Sequence, residues 1–368
     1  MVKYIGNIEK NKFAPLVLVV FFIVLSISFV GCHASKTFSV DYLGGYTVPA
    51  NLDTLNTVFS GISGLDYDTE KDLFYLISDD RSEYAPARMY EAKFQLTNKG
   101  IEALTLNNVK FLSDINGEPF AQETCDFESV RYHPKKEQWI LGNEGGKKGS
   151  AGIYYINKTG KIIDSLPIEN HIREGLRFNK TFEGISLSSE TNTLFYTTEA
   201  PLVSDGKAPT LSHGGMVRIA ASTLTGNKIM EWFYELEKVP KKATEIPPWG
   251  GTGSDNGLAE LLYLEKDWFL TLERAGAYKG NGIFDYSCKV FFTKLKNEKT
   301  KSRTLAKKKL LIDFNEIPNG NFNVEGMSFG PKINGIQTLL FVSDNNFKSN
   351  IPTQFYLFGI NEKSNEKS

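Results

Sequence analysis

A unit of two short β-forming runs, split by a polar turn and ended by acids, recurs five times along this chain. Its clearest copy is TFEGISLSSETNTLFYTTEA, residues 181–200, where Glu183 opens one run and Glu199 closes the other. Runs rich in Ile, Leu, Phe, Tyr and Thr on either side of a polar turn predict a β-hairpin. The same pattern reads GISGLDYDTEKDLFYLISDD (61–80), DFESVRYHPKKEQWILGNEGG (126–146), GLAELLYLEKDWFLTLERA (257–275) and NVEGMSFGPKINGIQTLLFVSDN (323–345). The first copy carries Ser63 in place of the opening acid and closes on Asp79-Asp80; the others pair Glu128 with Glu144, Glu260 with Glu273, and Glu325 with Asp344.

More strand-like sequence follows each hairpin, for example ARMYEAKFQL and IEALTLNNVKFL after the first, but only TQFYLFGIN follows the last. The missing strand is available at the other end of the chain, in TFSVDYLGGYTVP (37–49). Repeats of this kind predict an all-β fold, a β-propeller of four-stranded antiparallel blades whose last blade borrows its outer strand from the N-terminus. Five blades are visible, and the long connections leave room for a sixth; a two-sheet sandwich is the alternative. The domain spans residues 37–362 of a 368-residue chain that is 41% hydrophobic, ample for a core.

In a hairpin the start of the first strand lies beside the end of the second, so the paired acids are neighbours. If the first strand of every blade lines the central channel, all of these carboxylates gather at one mouth. Like charges there repel and push carboxyl pKa values up unless something offsets them. Ca2+ is one such offset, because it takes six to eight oxygen ligands. The other is internal: Arg81, Arg131 and Arg274 lie in or beside the motifs, and the acids would then pin the blade tops by hydrogen bonds. Long connections at 201–215, 239–257 and 275–287 fall on the same face, as do Lys147, Lys148, Lys207 and His213.

Residues 1–31 read as a signal peptide. Lys3, Lys10 and Lys12 precede LVLVVFFIVLSISFVGC, which ends in a relaxed lipobox with Cys32 as the lipidation site. An uncleaved anchor and plain secretion are the alternatives, and all three place the folded part outside the cytoplasm. The expectation is a monomeric lipoprotein of the cell envelope, attached to the membrane through its N-terminal lipid and facing the periplasm or the cell surface. The net charge of −1 offers no basic field, which excludes nucleic acid as a partner. Cys125 and Cys288 could pair in such a compartment or stay as two buried thiols.

The segments FSGISGLDYD…LISDDR, CDFESVRY…GNEGG, NKTFEGISLS…YTTEAPLVSDG, GLAELLYL…FLTLERA and VEGMSFGP…FVSDNNF, in this order, resemble the phytase-like domain family, also called esterase-like activity of phytase. The resemblance spans roughly residues 55–360. It implies a propeller and hydrolysis of an ester such as phytate, and it attaches to Glu128, Glu144, Glu183, Glu199, Glu260, Glu273, Glu325 and Asp344.

A serine esterase fits the residues poorly. The one G-x-S-x-G, Gly326-Met327-Ser328-Phe329-Gly330, sits in a predicted strand, and His33, His133, His171 and His213 all precede it. A calcium-assisted phosphoester hydrolase fits better. Glu128, Glu144, Glu260, Glu273, Glu325 and Asp344 would hold metal, Glu183 or Glu199 would act as general base, and Arg81, Arg274 and Lys147 would take the phosphate of a small phosphorylated substrate. A non-catalytic binding lipoprotein and a propeller esterase or lactonase are the alternatives.

Overall fold

A computed structural model describes residues 37–50, 52–296 and 304–363. The N-terminal leader with Cys32 lies outside the described residues, among which no helix is long and apolar enough to cross a membrane. Chain order begins with β1 (Thr37–Val48) and a small ribbon, β2 (Leu52–Thr54) and β3 (Thr57–Phe59). Blade I holds β4 (Ile62–Asp68), β5 (Leu73–Ser78), β6 (Arg88–Thr97) and β7 (Gly100–Phe111). Blade II holds β8 (Phe127–His133), β9 (Gln138–Asn143), β10 (Gly152–Ile156) and β11 (Ile162–Ser165). Blade III holds β12 (Phe182–Ser188), β13 (Thr193–Thr198), β14 (Met216–Thr223) and β15 (Lys228–Glu235). Blade IV holds β16 (Ser254–Glu265), β17 (Trp268–Gly280), β18 (Ile283–Lys294) and β19 (Lys307–Asp313). Blade V joins β20 (Asn323–Phe329), β21 (Gln337–Asp344) and β22 (Thr353–Lys363) to β1.

The first strands touch in turn, β4 to β8, β8 to β12, β12 to β16, β16 to β20 and β20 back to β4. The ring therefore closes at five blades. Strand β1 completes the blade that the C-terminus leaves unfinished, as the sequence predicts, so the ring is latched by the two ends of one chain. The segment 275–287, expected as a loop, is instead the far end of the β17–β18 hairpin, which runs on past the blade body.

Burial follows the alternation of strand side chains. Leu76 packs toward blade V with Leu340 and Val342, whereas its neighbours Tyr75 and Ile77 pack toward blade II with Val130 and Trp139. The core is thus five apolar layers, one at each blade interface.

Near the axis every first strand carries a β-bulge, at Ser63, Glu128, Glu183, Ala259 and Glu325. A bulge sets two residues against one and re-aims a side chain. In blades I, III and V the bulge is followed by glycine, which explains the E-G and S-G pairs of the repeat. A Cβ on Gly64 would lie 2.7 Å from the Glu128 carbonyl oxygen, and one on Gly184 would lie 3.0 Å from the Leu261 backbone nitrogen. Adjacent inner strands approach closely only where a side chain is missing.

Below the mouth the channel is filled. The Arg131 guanidinium donates to the carbonyls of Leu65 (2.9 Å), Leu261 (3.3 Å) and Met327 (3.3 Å) and sits 2.8 Å from the Glu260 carboxylate. Replacing Gly184 with Ala forces blades III and IV apart. The expected cost is about 1–3 kcal/mol, as for other overpacked sites, read as a lowered denaturation midpoint with unchanged m-value.

Candidate active site

Five bulges aim five positions into one mouth. On each second strand, the residue after the partner of the last residue before the bulge is the other half of the ring: Asp79, Glu144, Glu199, Arg274 and Asp344. Backbone hydrogen bonds fix these ends, from the Asp79 N–H to Gly61 O (2.8 Å), Glu144 N–H to Asp126 O (2.7 Å) and Glu199 N–H to Thr181 O (2.8 Å).

Blade IV breaks the pattern. Its bulge falls on Ala259, with Leu258 opposite Glu273, so its ring positions are Ala259 and Arg274. Glu260 and Glu273, expected as metal ligands, are not brought to the ring. Glu260 pairs with Arg131 in the filled channel, its carboxyl pushed up to about 7 by burial against the pull of that guanidinium. Glu273 accepts from Tyr234 Oη and Asn256 Nδ2 at 2.8 Å each, and from Lys308 at 2.5 Å. The other expected acids, Glu128, Glu144, Glu183, Glu199, Glu325 and Asp344, do converge.

Four further residues join them. Asp126 and Asn323 lie two positions before Glu128 and Glu325, and side chains two apart on a strand share a face. That alternation, visible in D-F-E and N-V-E, was the signal for both. Lys180 precedes the third motif and Asp255 the fourth. The Lys180 ammonium lies 2.8 Å from both Glu199 and Asp255. Arg274 spans Glu199 (3.2 Å), Asp255 (3.6 Å) and Glu325 (3.2 Å). A Cβ on Gly257 would collide with the Glu199 side chain at 2.4 Å, so glycine makes room for the acid of the preceding blade.

Arg81 also reaches the mouth, with its Nε 2.8 Å from Asp126 and an Nη 2.7 Å from Asn179 Oδ1. Lys147 does not: it is exposed and pairs with Glu123, as Lys148 does at 3.0 Å. Asp80 serves the fold, binding Arg88 at 2.6 Å and the backbone N–H groups of Glu83 and Ala85. Cys125 and Cys288 are buried free thiols. The Ser328 hydroxyl bonds Asp66 and Phe329 O rather than an imidazole, and exposed His213 bonds Gly214 O.

Two acidic clusters form at the mouth. Asp79, Asp126 and Glu128 each offer an oxygen within 4.8 Å of the others, as do Glu144, Glu183 and Glu199. Burial raises the carboxyl of Asp79, with Asp344 and Asp126 adding to it; burial raises Glu128, with Asp126 and Asp79 adding. Glu183 is raised by burial and then by Glu199, and Asp344 by burial and then by Glu325. Asp255 goes the other way, to about 2, because Lys180 and Arg274 outweigh its burial. The Asp79 Oδ1, Asp126 Oδ1 and Asn323 Oδ1 atoms are buried acceptors without a hydrogen-bond partner. Beside the clusters lies a cavity of about 430 Å3, lined by Lys180, Asp255, Arg274 and Glu325 and by Trp249, Phe284 and Tyr286.

A sequence model described as phytase-like, esterase-like activity of phytase, matches residues 57–347. No curated protein matches the chain. Among solved structures, the N-terminal domain of Nup159 aligns at 12% identity over 89% of this chain and 97% of its own, with a TM-score of 0.37. A thermostable family-43 glycoside hydrolase aligns at 10% identity over 87% and 94%, with a TM-score of 0.44. The β-fructofuranosidase of Schwanniomyces occidentalis aligns at 10% identity over 84% and 58%, with a TM-score of 0.41. Likenesses this loose transfer neither substrate nor residue roles.

The mouth makes stability depend on pH. Burial, with Glu199 and Asp126, pushes the Glu144 carboxyl up to about 8 from an ordinary 4.5. Between those values the folded protein keeps a proton that the unfolded chain releases. The unfolded state then binds fewer protons, and stability falls as pH rises. In chelator, denaturant titrations at pH 5 and pH 8 should show this loss. Glu144→Gln should reduce the slope by up to about 1.4 kcal/mol per pH unit, the value of one proton.

Proposed function

This chain belongs to the phytase-like family, and we propose that it is an exported, metal-assisted hydrolase of phosphoric esters working at the acid-lined mouth of its propeller. The observation that carries this reading is the charge balance there. Asp79, Asp126, Glu128, Glu144, Glu183, Glu199, Asp255, Glu325 and Asp344 share the mouth with Arg81, Lys180 and Arg274, while Lys348 borders the adjoining cavity at Asp344. Such a site repels phosphate unless cations neutralise it.

The residues fit a hard divalent cation. Their donors are carboxylate and amide oxygens, the set that Ca2+ takes, and two acceptors of the first cluster lack any partner. Asp79, Asp126 and Glu128 would hold one ion, and Glu144 and Glu199, with Glu325 and Asp344 nearby, would draw a second while Glu183 beside them stays free of metal. When bound, a divalent cation polarises phosphoryl oxygens and acidifies water.

The chain's own groups supply the rest. Arg274 and Lys180 line the cavity and orient the phosphate oxygens by charge-assisted hydrogen bonds. Glu183, whose proton affinity the surrounding carboxylates raise, accepts the proton of the attacking water once cations at the mouth have displaced its own. The leader with Lys3, Lys10, Lys12 and Cys32 supports export and lipid attachment, which would place a monomeric enzyme at the envelope, facing periplasm or cell surface.

Thermal melting of the purified protein with calcium chloride and with chelator tests the metal. A ligand at 100 times its Kd adds about 2.7 kcal/mol, which should raise Tm by several degrees. Phosphate release from p-nitrophenyl phosphate tests the chemistry: the double variant Glu183→Gln, Glu199→Gln should lose about 100-fold or more. Full activity in that variant would sink the mechanism, and an absent calcium shift would remove the ion.

A further inference from the structure

Blade IV departs from the others in a second way. Its β17–β18 hairpin overshoots the blade and sets Tyr278 opposite Phe284, and Gly276 opposite Tyr286, on one face. The connection at 239–253 folds against it through the Thr244 N–H to Tyr278 O and the Tyr278 N–H to Gly253 O. It delivers Trp249 onto the aromatic row, 5.3 Å from Tyr278 and 6.2 Å from Phe284 between ring centroids, the latter nearly parallel. Phe284 and Tyr286 stack in turn at 5.8 Å. Trp249 is 68% exposed, although it is built into this row.

The wall stands over the mouth. Trp249, Phe284 and Tyr286 border the 430 Å3 cavity that holds Arg274 and Lys180, and they also border a second cavity of about 360 Å3 that reaches Asp344. Asn323 lies in both. A ligand here meets a flat apolar surface on one side and hydrogen-bonding groups on the other. An aryl ring would satisfy the wall and leave the buried Asn323 Oδ1 without a donor, an unfavourable state for a polar atom. A ring bearing hydroxyls satisfies both, since each hydroxyl donates and accepts and the ring carbons lie on the aromatic faces. The combined space is of the size that small-molecule sites use.

We propose that the Trp249–Phe284–Tyr286 wall binds the sugar ring of a monosaccharide phosphate, whose phosphate lies toward Arg274 and Lys180. This deepens the phosphoester reading and rests on it for the placement of the phosphate. The wall selects the alcohol that leaves, and the acids act on the ester.

Binding to the full protein in calcium, read in the first moments after rapid mixing, tests the wall ahead of turnover. Trp139 and Trp232 are buried and Trp268 is stacked on Phe292, so solvent-exposed Trp249 dominates any ligand-induced change in tryptophan fluorescence. Glucose 6-phosphate should give a saturable change, with a Kd at least 10-fold below that of glycerol 3-phosphate, which has the charge but no ring, and below that of p-nitrophenyl phosphate, which has the ring but no hydroxyls. Trp249→Ala, at an exposed loop position, should raise the glucose 6-phosphate Kd at least 10-fold by calorimetry and leave glycerol 3-phosphate binding unchanged. Equal affinity for glucose 6-phosphate and glycerol 3-phosphate, tighter binding of p-nitrophenyl phosphate, or indifference to Trp249→Ala overturns the proposal. Phosphate release from glycerol 3-phosphate, followed in parallel, reports on the phosphoester chemistry alone. Its absence beside tight glucose 6-phosphate binding refutes the chemistry and keeps the wall; its presence beside an indifferent Trp249→Ala does the reverse.

Discussion

One guanidinium braces the ring. Arg131 extends from blade II across the axis to carbonyls of blades I, IV and V and to the carboxylate of Glu260. Inner strands at a propeller axis leave carbonyls facing a space too narrow for much water, and unpaired polar groups there are unfavourable. Arg131 answers several of them at once with a planar, always-charged donor fork. Its charge in turn requires a buried acid, which blade IV supplies from the position that blades I, III and V give to glycine. Losing either partner would leave a buried charge alone, a defect of about 3–5 kcal/mol. The brace also divides the channel, so the acidic mouth is a closed-ended cup rather than a pore.

The same brace explains where the sequence was legible and where it was not. Hairpin periodicity and the borrowed N-terminal strand were open to reading because they rest on local β-forming runs and turn residues. The ring acids of blades II, III and V were legible for the same reason, as the acids that open and close each hairpin. Blade IV defeated the reading because Glu260 imitates a ring acid in sequence while a bulge at Ala259 turns it to the axis. Glu273 fails likewise, since the true ring position is its neighbour Arg274. Bulge placement depends on how strands pack around the axis, and a lone blade does not encode it. Lys180 and Asp255 carried no signal, because each acquires its role only when blades III and IV meet.

The substitution at blade IV organises the site. Had that blade supplied two acids, the mouth would be ringed evenly by carboxylates. Instead Arg274 and nearby Lys180 put positive charge on one side, where they hold Glu199, Asp255 and Glu325. The opposite side, built by Asp79, Asp126 and Glu128, has Arg81 alone. The mouth is therefore polar across its width, with an anionic half that favours cations and a mixed half that can receive an anion. The aromatic wall rises on the mixed half, from the same blade that brought Arg274.

This asymmetry reconciles stability with binding. Carboxyl groups crowded beyond their ordinary pKa weaken the fold as pH rises, and any ligand that neutralises them returns that stability on binding. A mouth of fully paired acids would make a sturdier protein with nothing left to offer a ligand. Unpartnered oxygens at Asp79, Asp126 and Asn323 are what such pairing would have removed. Strain of this kind persists because it is confined to the channel mouth, while five apolar layers and the Arg131 brace hold the blades beneath it.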